Sequence, residues 1–447
     1  MFPASQKCQV LIDIFLTYCV PCNYVKCMGY GHMKDNYKVT TFVMDSGERY
    51  CMVVDRSSCL PVYYPALYLT TQIRNRADAF STMLAAASNL VVLLRFLDSR
   101  GIDLEQRFLT KNFFKPYELD DLRDFAQRKQ GKKLLVASST PWLEDASSYA
   151  VDNGTLHSRL TTYAKYLGWY AVHILNTAEP NVVEQINEML QHIKTRRPSK
   201  KRRNSEWQDR SLNDVQLDSL FEVIKPGSEL NPFSIDVQRR NRLMILLLFY
   251  LGIRGGELLN IRIQDIDFST NRIRIFRRAD ELADSRTNQP HAKTRDRLLP
   301  LAESLVQELH SYIIQDRSKV RNAKKNDYLF VTYKLGPTVG NPISKGGYHK
   351  IFSVVRAVSP QLYAATGHSF RHTWNRKFSE RMDAMNEQVS EERQEQLRSY
   401  LMGWRDGSGT AATYNKRFIQ QKGFEAALAL QEGNGTRLPK DMKNDDE

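Results

Sequence analysis

Beyond Cys59 the chain has no cysteine; all six lie between Cys8 and Cys59. That excludes a thiol nucleophile from most of the chain and gives no sign of a disulfide-built scaffold. Long apolar runs are equally scarce. The longest, Met244–Ile253, is about half of the ~20 residues a bilayer-spanning helix needs, so no membrane span is expected. Val10–Val20 is broken by Asp13 and followed by no clear small-residue cleavage site, so it is not read as a signal peptide. Acidic residues are in deficit, 50 Asp and Glu against 64 Lys and Arg, for a net charge of +14. Such an excess suggests a polyanionic partner, because each cation laid on a phosphate releases a condensed counterion. A basic protein with no such partner carries the same balance, so charge alone does not decide.

What is present implies two or three domains, since 447 residues exceed one ordinary core. Residues 1–59 read as an N-terminal extension, with two short strands, Tyr37–Met44 and Arg49–Asp55, around the turn Asp45–Ser46–Gly47. Cys19, Cys22, Cys27 and His32 have the spacing of a small zinc knuckle in an unusual ligand order. The plainer alternative is an over-extended start, with Met33 the true beginning. Residues 60–197 read as all-helical, with helical spacing over 66–98 stopped by Gly101 and further helices at 116–129, 156–177 and 181–196.

A basic linker, 198–210, follows. The text Thr195–Arg203 holds six basic residues in nine: Arg196, Arg197, Lys200, Lys201, Arg202 and Arg203. Pro198 stops the helix there. A solvated charge run is one reading and a strap along DNA phosphates the favoured one. Residues 211–431 read as a mixed domain. Ser211 is expected to cap its first helix, 236–251 to be an apolar helix, and Asn271–Arg277 and Arg295–Leu301 to pair as strands. Asp327–Tyr333 also looks strand-like, and helices are expected near 346–357, 368–382, 390–402 and 409–421. The polar residues 432–447 read as a disordered tail. The fold class is therefore mainly α with a small β-sheet.

Three segments put cations or reactive groups where packing does not need them. Leu251–Leu259 ends an apolar helix at Gly252 and then presents Arg254, whose planar fork suits phosphate. The alternative is that Arg254 merely pairs with Glu257, one helical turn on. His368-Ser369-Phe370-Arg371-His372-Thr373 sets an imidazole and a guanidinium on one helix face, a pairing suited to a phosphate undergoing displacement. Leu401-Met402-Gly403-Trp404 is followed by Tyr414 in a basic segment; a tyrosine there is a nucleophile or a packed amphipathic residue.

Taken in order, G-I-R-G-G-E-L, a lysine at a strand turn, H-x-x-R-H-T, G-W and a tyrosine, this series resembles the tyrosine recombinase (phage integrase) family over about 210–431. The resemblance implies a helical core-binding domain before a mixed α/β catalytic domain. It makes Arg254 and Arg371 the clamp on the scissile phosphate and Glu257 a brace for the Arg254 loop. His368 takes the proton-handling place, His372 a supporting one, and Trp404 that of an N–H donor. Tyr414 takes the place of the nucleophile. Lys293 matches the general acid, with Arg295 the runner-up. The intervals Arg371–Trp404 and Trp404–Tyr414 are longer than in compact members.

The reaction so implied is phosphoryl transfer through a 3′-phosphotyrosyl link, with no cofactor and no metal, the arginines doing what a metal pair does in nucleases. The implied partner is double-stranded DNA bearing attachment-type sites, engaged by a homotetramer in the bacterial cytoplasm. An amphipathic stretch, Phe424–Leu430, would dock on a neighbouring copy or pack on its own domain. Two other readings share these features: a catalytically silent DNA-binding regulator on the same fold, and a type IB topoisomerase-like relaxing enzyme. The complete catalytic series argues against the first, and the helical section with its basic linker against the second.

Overall fold

A computed structural model describes residues 36–76, 79–129, 149–176, 179–199, 210–290, 294–385, 389–404, 423–424 and 426–430. The described residues form two compact units, one up to residue 199 and one from residue 210. They make a mainly helical fold with two small sheets.

In the first unit, β1 (Tyr37–Val43) and β2 (Arg49–Asp55) form an antiparallel hairpin with Tyr37 opposite Asp55. Its turn needs Gly47, at φ 85°. Cys51, Met52 and Val53 of β2 are fully buried in the core of this unit. From Tyr37 onward the chain is thus part of the first unit's packing rather than an extension to it.

The helical pattern over 66–98 winds in pieces. They are α1 (Tyr63–Tyr68), a π-helical turn Leu69–Ile73, a 3₁₀ turn Arg74–Arg76, and α2 (Phe80–Arg100). Gly101 stops α2 in the left-handed region, at φ 61°. By length and composition α2 could cross a membrane, but most of it is buried among the helices of its unit. It packs on β2 and on α5 (Asn153–Leu175), with α3 (Leu104–Leu109), α4 (Pro116–Gln127) and α6 (Pro180–Thr195) completing the unit. Caps explain the starts. Asp103 and Asp152 accept first-turn amides of α3 and α5, and α4 and α6 each begin with proline.

The second unit opens with α7 (Asp214–Val223). Its cap is Asn213 in a capping box with Gln216, not Ser211. α8 (Ile235–Leu251) runs through the core and ends at Gly252, followed by the short α9 (Gly255–Leu258). β3 (Ile266–Asp267), β4 (Arg272–Ile275) and β5 (Arg297–Pro300) form an antiparallel sheet in sequence order. Its alternation is clean: Ile273, Ile275 and Leu299 face the core while Arg272 and Arg274 face solvent.

Asp327–Tyr333 is not a strand. Tyr328 and Val331 make only isolated bridges, to Arg262 and Pro342, and the burial of Leu329 and Phe330 accounts for the apolar text. α10 (Glu303–Ser311), α11 (Lys345–Arg356), α12 (Gly367–Asp383) and α13 (Glu391–Met402) follow. The expected helix at 409–421, the tail 432–447 and the candidate zinc ligands Cys19, Cys22, Cys27 and His32 lie outside the described residues.

Candidate active site

The site is built where α8, α12 and α13 meet. Gly252 ends α8 at φ 59°, and a Cβ on it would lie 2.7 Å from the Trp374 ring and 2.8 Å from the Met402 methyl, so only glycine allows this approach. The chain then turns into α9 with Arg254 at its N-cap, where the Arg254 N–H donates to the Glu257 carboxylate at 2.8 Å.

The sequence left open whether Arg254 simply pairs with Glu257. Its guanidinium lies 3.8 Å from that carboxylate and is 33 % exposed. Glu257 is fully buried and takes its tight ion pair instead from Arg297, at 2.9 Å, with the Thr294 hydroxyl also donating to it. Burial pushes the Glu257 carboxyl up. The Arg297 charge and hydrogen bond, the Thr294 hydroxyl and the Arg254 amide outweigh this and hold it below the usual carboxylate range.

α12 carries the second cationic group. Thr366 caps it by accepting the Ser369 amide at 3.1 Å. Arg371 is 1 % exposed and donates to the Gly252 carbonyl at 2.7 Å and the Met402 carbonyl at 3.0 Å, with its guanidinium 5.3 Å from the Trp404 ring centroid. One side chain therefore ties the ends of α8 and α13 to the N-terminal part of α12. His368 stands one turn earlier on the same helix, open to solvent on one side, with its ring edge-on to His372 at 4.6 Å. Partial burial lowers the His368 pKa below its ordinary 6.5, and the positive charges of Arg371, Arg210 and Arg254 lower it further. Arg210 is a member of this cationic neighbourhood that the sequence reading did not single out; its contribution depends on spatial approach alone.

Trp404 is buried just past α13. Gly403 caps that helix at φ 65°, and its carbonyl accepts the Arg295 N–H at 3.0 Å. Arg297 Nε donates to the Leu401 carbonyl at 2.7 Å, so residues 294–297 lie against the Trp404 turn. Arg295 itself is exposed there. Arg254, Glu257, His368, Arg371, His372 and Trp404 all fall in the second unit. Lys293, Tyr414, Lys200, Lys201, Arg202 and Arg203 lie outside the described residues. Arg196 belongs to the first unit, where it bonds to Asp120 and to the Pro116 and His192 carbonyls, and Arg197 bonds to the Lys194 carbonyl and the Thr161 hydroxyl.

Tyr348 of α11 reaches between the two cationic segments. A Cβ on Gly255 would come within 2.5 Å of its hydroxyl, and one on Gly367 would come closer still. Gly367→Ala is therefore expected to destabilise the second unit by ~1–3 kcal/mol through overpacking, with Tyr348→Phe in that background recovering part of the loss in thermal unfolding. Equal melting temperatures for wild type and Gly367→Ala would contradict the packing.

Residues 211–418 match the family model described as phage integrase family. The second unit is a phage integrase family domain. Among its relatives are the tyrosine recombinase XerD of Halalkalibacterium halodurans, 24 % identical over 36 % of this chain and 46 % of that protein, and transposase A from transposon Tn554 of Staphylococcus aureus, 28 % identical over 30 % and 35 %. This chain thus spans less than half the length of these curated relatives. A Tn1549 transposon integrase solved in complex with a circular intermediate DNA is 16 % identical, with 59 % of this chain and 75 % of that one covered and a TM-score of 0.39.

Proposed function

We propose that the chain is a site-specific DNA recombinase that cleaves and rejoins strands through a 3′-phosphotyrosyl intermediate. The observation that carries this is the convergence of Arg254, His368, Arg371 and Trp404 around one position in the second unit, held by the Arg371 bonds to the Gly252 and Met402 carbonyls. Cations and a histidine with a lowered pKa form a setting for a phosphodiester, whose charge rises in the transition state. Arg254 and Arg371 clamp its non-bridging oxygens. Tyr414 attacks phosphorus, its proton passes toward His368, and the P–O bond to the 5′-oxygen breaks as Lys293 supplies that oxygen's proton. A 5′-hydroxyl of a second strand reverses the step and completes the exchange, so the bond energy is kept. Arg371 serves this role while buried, and its rigid placement avoids reorganisation cost during reaction.

The partner is double-stranded DNA, bound by a homotetramer because exchange needs one active site for each of the cleaved strands. The first unit acts as the core-binding domain. The linker cations track phosphates; Arg196 pairs with the exposed Asp120, a surface contact that phosphates can replace.

The test is covalent trapping. The protein is offered nicked duplex carrying its recombination site and assayed for an SDS-resistant adduct. Strong binding without an adduct would mean a silent regulator, and relaxation of supercoiled plasmid lacking any site would mean a topoisomerase-like enzyme. A second expectation follows from His368. A proton acceptor with a lowered pKa is protonated only at a lower pH than an ordinary histidine, so kcat/KM for adduct formation should fall on an acid limb with its midpoint below 6.5. His368→Gln should remove this acid limb. An unchanged limb in the variant would take His368 out of proton transfer.

A further inference from the structure

Glu257 is the node of the site's internal charge, and its partners can be ranked. Arg297 reaches its two oxygens from Nη2 at 2.9 Å and from Nη1 at 3.3 Å, with 0 % and 1 % exposure for the Glu257 and Arg297 side chains. Arg254 approaches the same carboxylate only to 3.8 Å and from a more exposed position. A carboxylate buried this deeply must be matched by a cation, because leaving it alone costs far more than a surface charge does. Two cations lie within reach, and the tighter geometry belongs to Arg297.

We infer that Arg297 is a positioning residue: by neutralising Glu257 at 2.9 Å it keeps the Arg254–Glu257 pair long, at 3.8 Å, where an unmatched carboxylate would draw the Arg254 guanidinium into close contact. The inference rests on the recombinase reading of the site. Arg254 keeps its backbone tether to Glu257 through the 2.8 Å N–H bond, so its loop is braced while the charge of its side chain is directed to a phosphate. The Arg297 guanidinium also holds the Trp404 turn through the Leu401 carbonyl, and it contacts the Thr294 hydroxyl at 3.2 Å. One buried cation thus sets three segments of the site, from 257, 294 and 401, without itself facing DNA. No local sequence signal marks it, because Arg297 and Glu257 are 40 residues apart.

The experiment compares four full-length proteins: wild type, Arg297→Met, Glu257→Gln and the double variant. Single-turnover adduct formation is measured at saturating nicked duplex, and folding is followed by circular dichroism. Methionine keeps length and apolar packing without charge. Arg297→Met should slow the step ~100-fold, the order of loss seen when one transition-state donor is withdrawn. The double variant, with no carboxylate left to capture Arg254, should regain at least ~10-fold, because a buried pair is better replaced whole than halved. A folded double variant no faster than Arg297→Met overturns the inference.

A second readout uses duplex with a methylphosphonate at the scissile position, whose uncharged linkage asks less of a cation. The Arg297→Met defect should shrink on it, and a defect of undiminished size assigns Arg297 a purely structural role. A wild type that forms no adduct on either substrate would overturn the recombinase reading instead. Inorganic phosphate then decides the inference. Wild type and the double variant should gain thermal stability from it while Arg297→Met does not, and equal gains in all would overturn the inference.

Discussion

Tyr414→Phe should abolish the covalent protein–DNA adduct while leaving DNA binding intact. Removing the proposed nucleophile removes the bond that would define the intermediate, and losses on nucleophile removal run to at least ~10³-fold where the remaining groups cannot substitute. The variant keeps the aromatic ring and loses only the hydroxyl, so the effect is chemical. An unperturbed phenol has a pKa near ~10 and is a weak nucleophile at neutral pH, which is why the cations around the phosphate and the neutral His368 matter to its reactivity. The measurement is adduct yield on nicked duplex, with binding followed in parallel by fluorescence anisotropy. An adduct that survives in Tyr414→Phe would move the nucleophile elsewhere in the chain, and the long Trp404–Tyr414 interval marks that neighbourhood as the first to search.

The second large effect is expected at Arg371, where the proposed phosphate clamp and stability are joined. Arg371→Ala removes the donor to both the Gly252 and Met402 carbonyls and leaves the Trp404 face without its cation. Each buried carbonyl left without a partner costs ~1–3 kcal/mol, so the melting temperature should fall clearly. Adduct formation should fall ~10²–10³-fold, the usual cost of one transition-state donor. Lysine is not a rescue, because a point charge cannot bridge two carbonyls as the guanidinium fork does.

Arg254→Ala offers the contrast. Glu257 retains Arg297 as its close partner, so stability should change little while adduct formation falls by a similar factor. Thermal unfolding and single-turnover kinetics of the two variants separate the cases. An Arg371→Ala protein that melts early but cleaves at the wild-type rate would remove Arg371 from the phosphate clamp and leave it a structural residue.

Much of the second unit was legible because its signals are local. The glycine after an apolar run marked the end of α8 at Gly252, and the three-residue spacing of His368 and Arg371 put them on one face of α12. The alternating text around Ile273 and Leu299 gave the β4–β5 pair. Where two local signals competed, the sequence erred or left the matter open. Ser211 and Asn213 both suit a helix start, and the capping box with Gln216 favours Asn213. An apolar run such as Asp327–Tyr333 satisfies burial as an irregular segment as well as it would as a strand.

The sequence by itself determined the candidate residues, their order along the chain and most of the helices that present them, since periodicity, caps and motifs act within a few residues. Tertiary structure alone decided how charge is shared among them. It gave Glu257 a close pair with Arg297 and only a long one with Arg254, buried Arg371 between the ends of α8 and α13, and brought Arg210 toward His368. It also drew β1 and β2 into the core of the first unit. The physical reason is that an ion pair is selected by desolvation and distance in space, and neither leaves a trace in the spacing of residues along the chain.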